Sequence, residues 1–454
     1  MKFDAVIVGA GSAGSMSALA LCKKGFNAVL IDRKEQERIG KKVCGDAIAR
    51  HHLDISQEEV GFGYPEGDEL KQEIDGLDIY SPNGENRLRL TISDDDGWII
   101  DRYLFGQRLL NSALDAGAEL MASTKFKDLL TKNHVLSGIR VRTNEGDVKE
   151  LNGNIVVDAT GSTAVLRRSL PDRYYNEFLI EKEIDPRDMG FAYREIVKTR
   201  EMLEDDRYLR LYFINSLVPG GYAWIFPTGR GYSGANAGAG GDLASMNNPK
   251  EKFKLFTEQI DFFDGAETLD AGSGKVPIRR PLNTLVGDNF MLVGDTGSQV
   301  NPLHGGGLGV SIEGGIKLAR AYEKAQENND FTVAGLWSYN TSYQRESGAV
   351  HAPLDIFRLV ITKFSDKALN VTLANGVISQ EDVNKLAIKK KFEFTTAEKA
   401  MKVWRGKSII RKVLKLQMLG KKMSQISQIY EKYPDNLQDL PEWIKKVKAV
   451  YRGL

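Results

Sequence analysis

Two glycine-rich turns and one strip of aromatic residues carry the chemistry that can be read from this chain. Gly9-Ala-Gly11-Ser-Ala-Gly14 has the spacing G-x-G-x-x-G, between a short β-branched run at 3–8 and helical spacing over 15–24. In that setting Gly9 allows the tight turn, Gly11 lets the backbone approach a pyrophosphate, and Gly14 lets helix pack on strand. The helix start offers free N–H groups and a positive dipole end to phosphates. Asp32 closes the next apolar run, 28–31, at the offset where a carboxylate binds a ribose diol and disfavours a 2′-phosphate. These residues predict a grip on ADP-ribose and leave FAD and NAD both open.

The second turn lies in LVGDTGSQVNPLHGGGLGVSIEGG, 292–315. Asp295 ends an apolar run expected as a strand over 289–295, where its carboxylate can bind a ribityl hydroxyl. Gly305, Gly306 and Gly307 put bare N–H groups at the start of a helix expected over 311–328. Such groups suit the negative charge on the N1–C2=O side of a reduced flavin, which turns the reading to FAD. A tight turn of structural glycines is the competing reading. The aromatic strip is Tyr222, Trp224 and Phe226. In an extended strand these three share one face, and Ala223 and Ile225 the other. They could wall a long apolar tunnel, or they could be ordinary core filling. Tyr208, Leu211, Tyr212 and Phe213 fit core packing better than an extension of that wall.

The elements that must position these residues follow from the same pattern. Strand 3–8, helix 15–24 stopped by Gly25, and strand 28–31 make a βαβ unit. A second helix is predicted over 101–117, and a strand over 152–158 runs into Ala-Thr-Gly. Short strands such as 88–92 and longer aromatic-rich ones over 166–275 predict a β-rich insertion. The fold class is therefore α/β: a Rossmann-like FAD-binding domain, an inserted antiparallel β-rich substrate domain and a helical C-terminal region. The expected boundaries are 1–75, 98–165 and 276–330 for the FAD domain, 76–97 and 166–275 for the insertion, and 331–454 for the C-terminal region.

Composition narrows the class further. With 62 Lys and Arg against 61 Asp and Glu, no global field draws the chain to nucleic acid. Two cysteines, Cys22 and Cys44, exclude a disulfide framework and fit a reducing, cytoplasmic setting. The opening apolar run is too short for a signal sequence, and no stretch is long and apolar enough to span a membrane. Any membrane contact must be peripheral, at the inner face of the cell membrane. His51 and His52 lack a partner at metal-ligand spacing, and no Cys/His cluster predicts a metal.

The two glycine clusters, Asp158-Ala-Thr-Gly161 and Arg102 at the start of its helix together resemble the p-hydroxybenzoate-hydroxylase-like FAD superfamily over nearly all of 1–330. A narrower resemblance is carried by Pro219-Gly-Gly-Tyr222-Ala-Trp224-Ile-Phe226-Pro227, which fits P-x-x-Y-x-W-x-F-P of the geranylgeranyl reductases. Lys42-Val-Cys44-Gly45-Asp46 is similar to the Cys-Gly segment of the same enzymes. The resemblance implies an FAD site that adds Ala13, Arg33, Cys44, Gly45, Asp46, Arg102 and Leu308 to the residues above. It implies Tyr222, Trp224 and Phe226 as substrate contacts, and saturation of isoprenoid C=C bonds in archaeal-type ether lipids or prenyl precursors as the reaction.

That reaction needs a hydride equivalent, which reduced FAD supplies, and a proton on the adjacent carbon. Cys44, Tyr222 and an ordered water are the candidate proton sources; for Cys44, small-residue packing is the alternative. His304 could steer a proton, bond the flavin or simply sit in a solvated loop. The glycine-rich stretch 234–241 lacks dinucleotide spacing, which counts against a dedicated NAD(P)H domain, and the resemblance allows ferredoxin or NAD(P)H as the electron donor. Over 385–454, 18 Lys and Arg stand against 6 Asp and Glu. There Trp404, Ile409, Ile410, Val413, Leu414, Leu416 and Leu419 alternate with the cations, as in a helix on anionic lipid or one packed on the body with a solvated face. The competing functions are an FAD monooxygenase or halogenase of the same superfamily, and a flavin-bearing electron-transfer or lipid-carrier module.

Overall fold

Lys2–Val8, Ala28–Ile31 and Val148–Asp158 carry unbroken buried apolar runs near their carboxyl ends, the last closing on the buried Asp158, as parallel strands covered on both faces do. In the computed structural model, which describes residues 2–91, 96–229, 233–381, 402 and 410–454, they sit side by side in one eight-stranded sheet. Its order is Val286–Gly287, Phe290–Leu292, Val148–Asp158, Lys2–Val8, Ala28–Ile31 and Glu119–Met121, with Val135–Arg142 and Lys125–Lys132 added as an antiparallel flap on Val148–Asp158. The register aligns Val8 with Ile31 and Asp158, and Asp158 with Leu292. The carboxyl ends of four parallel strands therefore share one edge, where ligands of open α/β sheets bind. Gly9, Asp32, Ala159 and Val293 each leave the sheet at that edge. Helices Ser12–Lys23 and Leu308–Glu327 cross close together, and a Cβ on Gly315 would lie 2.8 Å from the Ser17 nitrogen.

The insertion folds as a seven-stranded sheet ordered Glu267–Pro277, Met189–Lys198, Gly234–Asp242, Tyr222–Pro227, Tyr208–Tyr212, Gly76–Tyr80 and Arg87–Thr91. It is antiparallel as expected apart from one pair, Tyr208–Tyr212 with Gly76–Tyr80, which runs parallel, as the long chain between those strands allows. One face carries Ala223, Ile225, Tyr193 and Tyr212 against Phe253 and Phe256 of helix Pro249–Thr257. The other carries Trp224 and Phe226 against Ile74 and Ile99 of a small sheet formed by Ala47–Ala49, Gly97–Ile100 and Leu70–Ile74.

Several boundaries move, each for a local reason. The first helix starts at Ser12 rather than 15, directly after Gly11, because small residues fill its first turn. The later helix starts at Leu308 rather than 311, with Gly307 at its cap. The strand expected over 289–295 is only Phe290–Leu292, since Gly294 at φ +74° turns the chain into the short 3₁₀ helix Gly294–Gly297 that carries Asp295. In the C-terminal region Trp404 and Ile409, and the side chains of Ile410, Val413, Leu414 and Leu416, lie outside the described residues. Leu419 is buried with Met423, Ile426 and Tyr430 against the body, and Lys422 donates to the Val450 and Arg452 carbonyls. Among the described residues no helix is long and apolar enough to cross a membrane.

Candidate active site

At the first turn the glycines are required one by one. Gly9 has φ +105°, and a Cβ there would lie 2.3 Å from the Ala159 oxygen; one on Gly14 would lie 1.8 Å from the Gly9 oxygen. A Cβ on Gly11 would meet nothing within 4 Å, so packing does not need this glycine. What it keeps clear is the approach to the N-terminus of helix Ser12–Lys23. Each Asp32 oxygen takes one backbone N–H, from Ala10 and from Lys34, both at 2.9 Å, leaving lone pairs for a ribose diol. The Arg102 guanidinium, on the helix capped by the Asp101 carboxylate, reaches this turn and donates to Ser12 Oγ. Its other terminal nitrogen is buried without a partner. A pyrophosphate at the helix start would satisfy that donor, so the residues present fit the diphosphate of FAD.

The second turn lies beside the first, with a Cβ on Gly294 placed 2.8 Å from the Ala13 methyl. Asp295 is buried and paired with Lys42 Nζ at 3.1 Å, and its Oδ1 lies 3.1 Å from where a Gly307 Cβ would be. The Gly305 N–H is taken by the Asn301 carbonyl and the Gly306 N–H by His304 Nδ1, so of the three glycines only Gly307 leads unspent amides into helix Leu308–Glu327. Asp158 is not part of this face: its carboxylate is fully buried and holds Thr160 and the Arg167 N–H.

Loop 42–46 joins these turns to the inserted sheet. A Cβ on Gly45 would lie 2.8 Å from the Phe226 ring, so this glycine permits the close approach of loop and aromatic strip. Asn236 Nδ2 donates to the Cys44 carbonyl at 2.8 Å and to Asp46 Oδ2 at 2.7 Å, while its Oδ1 accepts from the Trp224 indole at 3.1 Å. The Asp46 N–H points at Cys44 Sγ, 3.1 Å away. Burial, with the Asp46 carboxyl beside it, pushes the Cys44 thiol up to about 12, so the thiol keeps its proton. Burial also raises the Asp46 carboxyl to about 6, against the pull of Arg194 and Arg102.

The aromatic strip shares one face as its alternation requires, with ring centroids 6.0 Å apart for Tyr222–Trp224 and 6.2 Å for Trp224–Phe226. Trp224 and Phe226 are buried against Ile74 and Ile99; Tyr222 is the member that stays open. Its hydroxyl donates to the His304 carbonyl at 2.5 Å. Tyr222 lies close to both Cys44 and the His304 backbone, and all three residues keep accessible surface. Burial, with His52 nearby, holds the His304 imidazole down at about 4, which keeps it neutral.

Other expected residues fall elsewhere. Arg33 is exposed at the sheet edge. Tyr212 stacks on Tyr80 at 4.7 Å on the opposite face of the sheet from Trp224. His52 does have a partner, contrary to the linear reading: its Nδ1 lies 2.6 Å from Glu313 Oε1, and with His51 the three offer donor atoms within 4.8 Å of one another. Ligands sharing a tetrahedral zinc ion stand roughly 3.3 Å apart, so the 2.6 Å contact is a hydrogen bond. Glu313 lies too far along the chain for spacing to find it. Asn236 and Arg194 were also missed. The signal for Asn236 was a lone polar residue in the glycine and alanine run 234–241, a central strand whose Gly238 makes room for the Trp224 ring.

Comparison with known proteins agrees with this geometry. The geranylgeranyl reductase catalytic domain family matches residues 188–276, and the FAD dependent oxidoreductase family matches 4–170. A digeranylgeranylglycerophospholipid reductase of Sulfolobus acidocaldarius is 33% identical over 99% of this chain and 97% of its own. One from Methanothrix thermoacetophila is 27% identical over 86% of this chain and 94% of its own. Among solved structures, a geranylgeranyl bacteriochlorophyll reductase-like protein of Thermoplasma acidophilum superposes with a TM-score of 0.76 at 20% identity, covering 92% of this chain and 99% of that one. A flavin-dependent brominase superposes at 0.63 with 18% identity, over 85% and 93%. At such identities both structures show the fold alone.

Proposed function

Because the chain belongs to the digeranylgeranylglycerophospholipid reductase family, we propose that it is an FAD-dependent reductase that saturates C=C bonds of geranylgeranyl chains in membrane ether lipids. The observation that carries this reading is one of position. The matched catalytic segment, 188–276, supplies the strand Tyr222–Pro227, and that strand meets Gly45 of the cysteine loop and the His304 carbonyl next to the flavin-side glycines. Bound and reduced FAD supplies the hydride equivalent.

In this reading Gly9, Gly11, Gly14, Asp32 and Arg102 hold the ADP half of the cofactor, and Asp295 with Gly307 and Leu308 holds the flavin half. Tyr222 lines the path of the prenyl chain, while Trp224 and Phe226 set the shape of the wall behind it. Cys44 holds the proton for the second carbon: its thiol stays protonated and lies near Tyr222. The division into FAD domain, β-rich insertion and helical C-terminal region belongs to the same proposal, as do a ferredoxin or NAD(P)H donor and peripheral contact with the cell membrane. The fold likeness to halogenases has no counterpart in the family matches, which favour the reductase.

The test is to reduce the purified holoprotein anaerobically, add a geranylgeranyl-bearing glycerophospholipid and weigh the lipid. Mass gains in steps of about two daltons, one step per double bond, support the proposal. No gain with any prenyl lipid would overturn it.

A further inference from the structure

Asp46 is the residue the expected site explains least. It has φ +62°, a left-handed conformation in which aspartate is tolerated but strained. Its side chain is more than nine-tenths buried, and Oδ1 accepts no hydrogen bond. Its Oδ2 is taken by Asn236, which the Trp224 indole fixes in place. A carboxyl kept only for structure would have both oxygens paired. A carboxyl kept for the cofactor would not have its bound oxygen turned toward the inserted sheet.

We propose that Asp46 is the proton partner of Cys44, replacing the proton that the thiol gives to the prenyl chain. This rests on the reductase reading above. Saturating one double bond breaks one C=C π bond and forms two C–H bonds. Two electrons and one hydrogen come as the hydride equivalent, and the second hydrogen comes as a proton from Cys44 Sγ. The thiolate left behind beside an ionised Asp46 would put two anions in one buried pocket. With Asp46 protonated, its proton passes to sulfur and a carboxylate remains, steadied by Arg194 and Arg102. Water returns the proton to Asp46 between turnovers. A thiol pushed up to about 12 beside a carboxyl at about 6 makes the transfer run downhill.

The charged and titratable groups around Asp46 are Cys44 and Lys42 on its own loop, Arg102, and Arg194, which pairs with Asp270 at 2.9 Å; Tyr222 faces Cys44 from the inserted sheet. The cationic pair keeps the carboxylate within reach of neutral pH.

The experiment mixes reduced holoenzyme anaerobically with a geranylgeranyl glycerophospholipid and follows flavin reoxidation from about pH 5 to 8. Wild type should slow roughly tenfold per pH unit above about 6, as the protonated carboxyl disappears. D46N, which tolerates the same backbone conformation, should be at least roughly tenfold slower at the acid end and should lack this fall. Its reoxidation by oxygen should be unchanged. R194M, which removes a cation that favours the carboxylate, should move the wild-type fall to higher pH. A D46N profile that keeps the fall, equal slowing of the lipid and oxygen reactions, loss of FAD from D46N, or an R194M fall that stays in place would each overturn the assignment. A wild-type enzyme that reduces no prenyl lipid at any pH would instead sink the reductase reading, before any variant is made.

Discussion

The buried Asp46 carboxyl makes a stability prediction that needs no substrate. Its folded value is raised from 3.8 to about 6 by burial. Between these values the folded state binds more protons than the unfolded state, so stability is lost as pH rises through this window and stays lost above it. The loss amounts to about 1 kcal/mol at pH 4.5 and about 3 kcal/mol at pH 7.5. D46N has no such titration. Its fixed costs, including the altered contact with Asn236, change little with pH and largely cancel in a comparison of two pH values. At ~2.1 cal/mol/K per residue over 454 residues, the unfolding entropy is about 1 kcal/mol/K. Melting temperatures of the FAD-saturated proteins should therefore diverge in favour of D46N by about 2 °C between pH 4.5 and 7.5. A gap that stays constant, or that narrows as pH rises, would refute the electrostatic reasoning.

The glycine turn separates fold from ligand. Gly11→Ala should leave the melting of the FAD-free chain within about 1 kcal/mol of wild type yet weaken FAD binding at least roughly tenfold, whereas Gly14→Ala should fail to fold or lose several kcal/mol; titration with FAD and thermal melts measure both. Trp224→Phe removes the indole donor to Asn236 and should cost about 1–3 kcal/mol in denaturant unfolding while FAD stays bound. Loss of FAD instead would mark the strip as cofactor support.

What was legible in the sequence was what short spacing encodes. Gly9, Gly14 and Asp32 fall at one sheet edge because a strand, turn and helix fix their offsets, and Tyr222, Trp224 and Phe226 share a face because strand side chains alternate. The family resemblance then supplied the link between strip and flavin. What stayed hidden depends on segments distant in sequence. Asn236 reaches Cys44 and Asp46 across 190 or more residues, Arg194 comes from the strand beside that of Asn236, and Glu313 finds His52 across 261. The strip also changed in meaning: two of its three rings are packed, and only Tyr222 stays partly exposed.

The most direct test of the account counts electrons against bonds. Holoenzyme reduced to completion and freed of excess reductant is mixed anaerobically with limiting digeranylgeranylglycerophospholipid, and the return of the oxidised-flavin band is compared with the double bonds lost from the lipid. One flavin oxidised for each bond saturated, lost in Tyr222→Ala with FAD still bound, is the predicted result. Flavin that stays reduced, or reoxidises with the lipid unchanged, would contradict it.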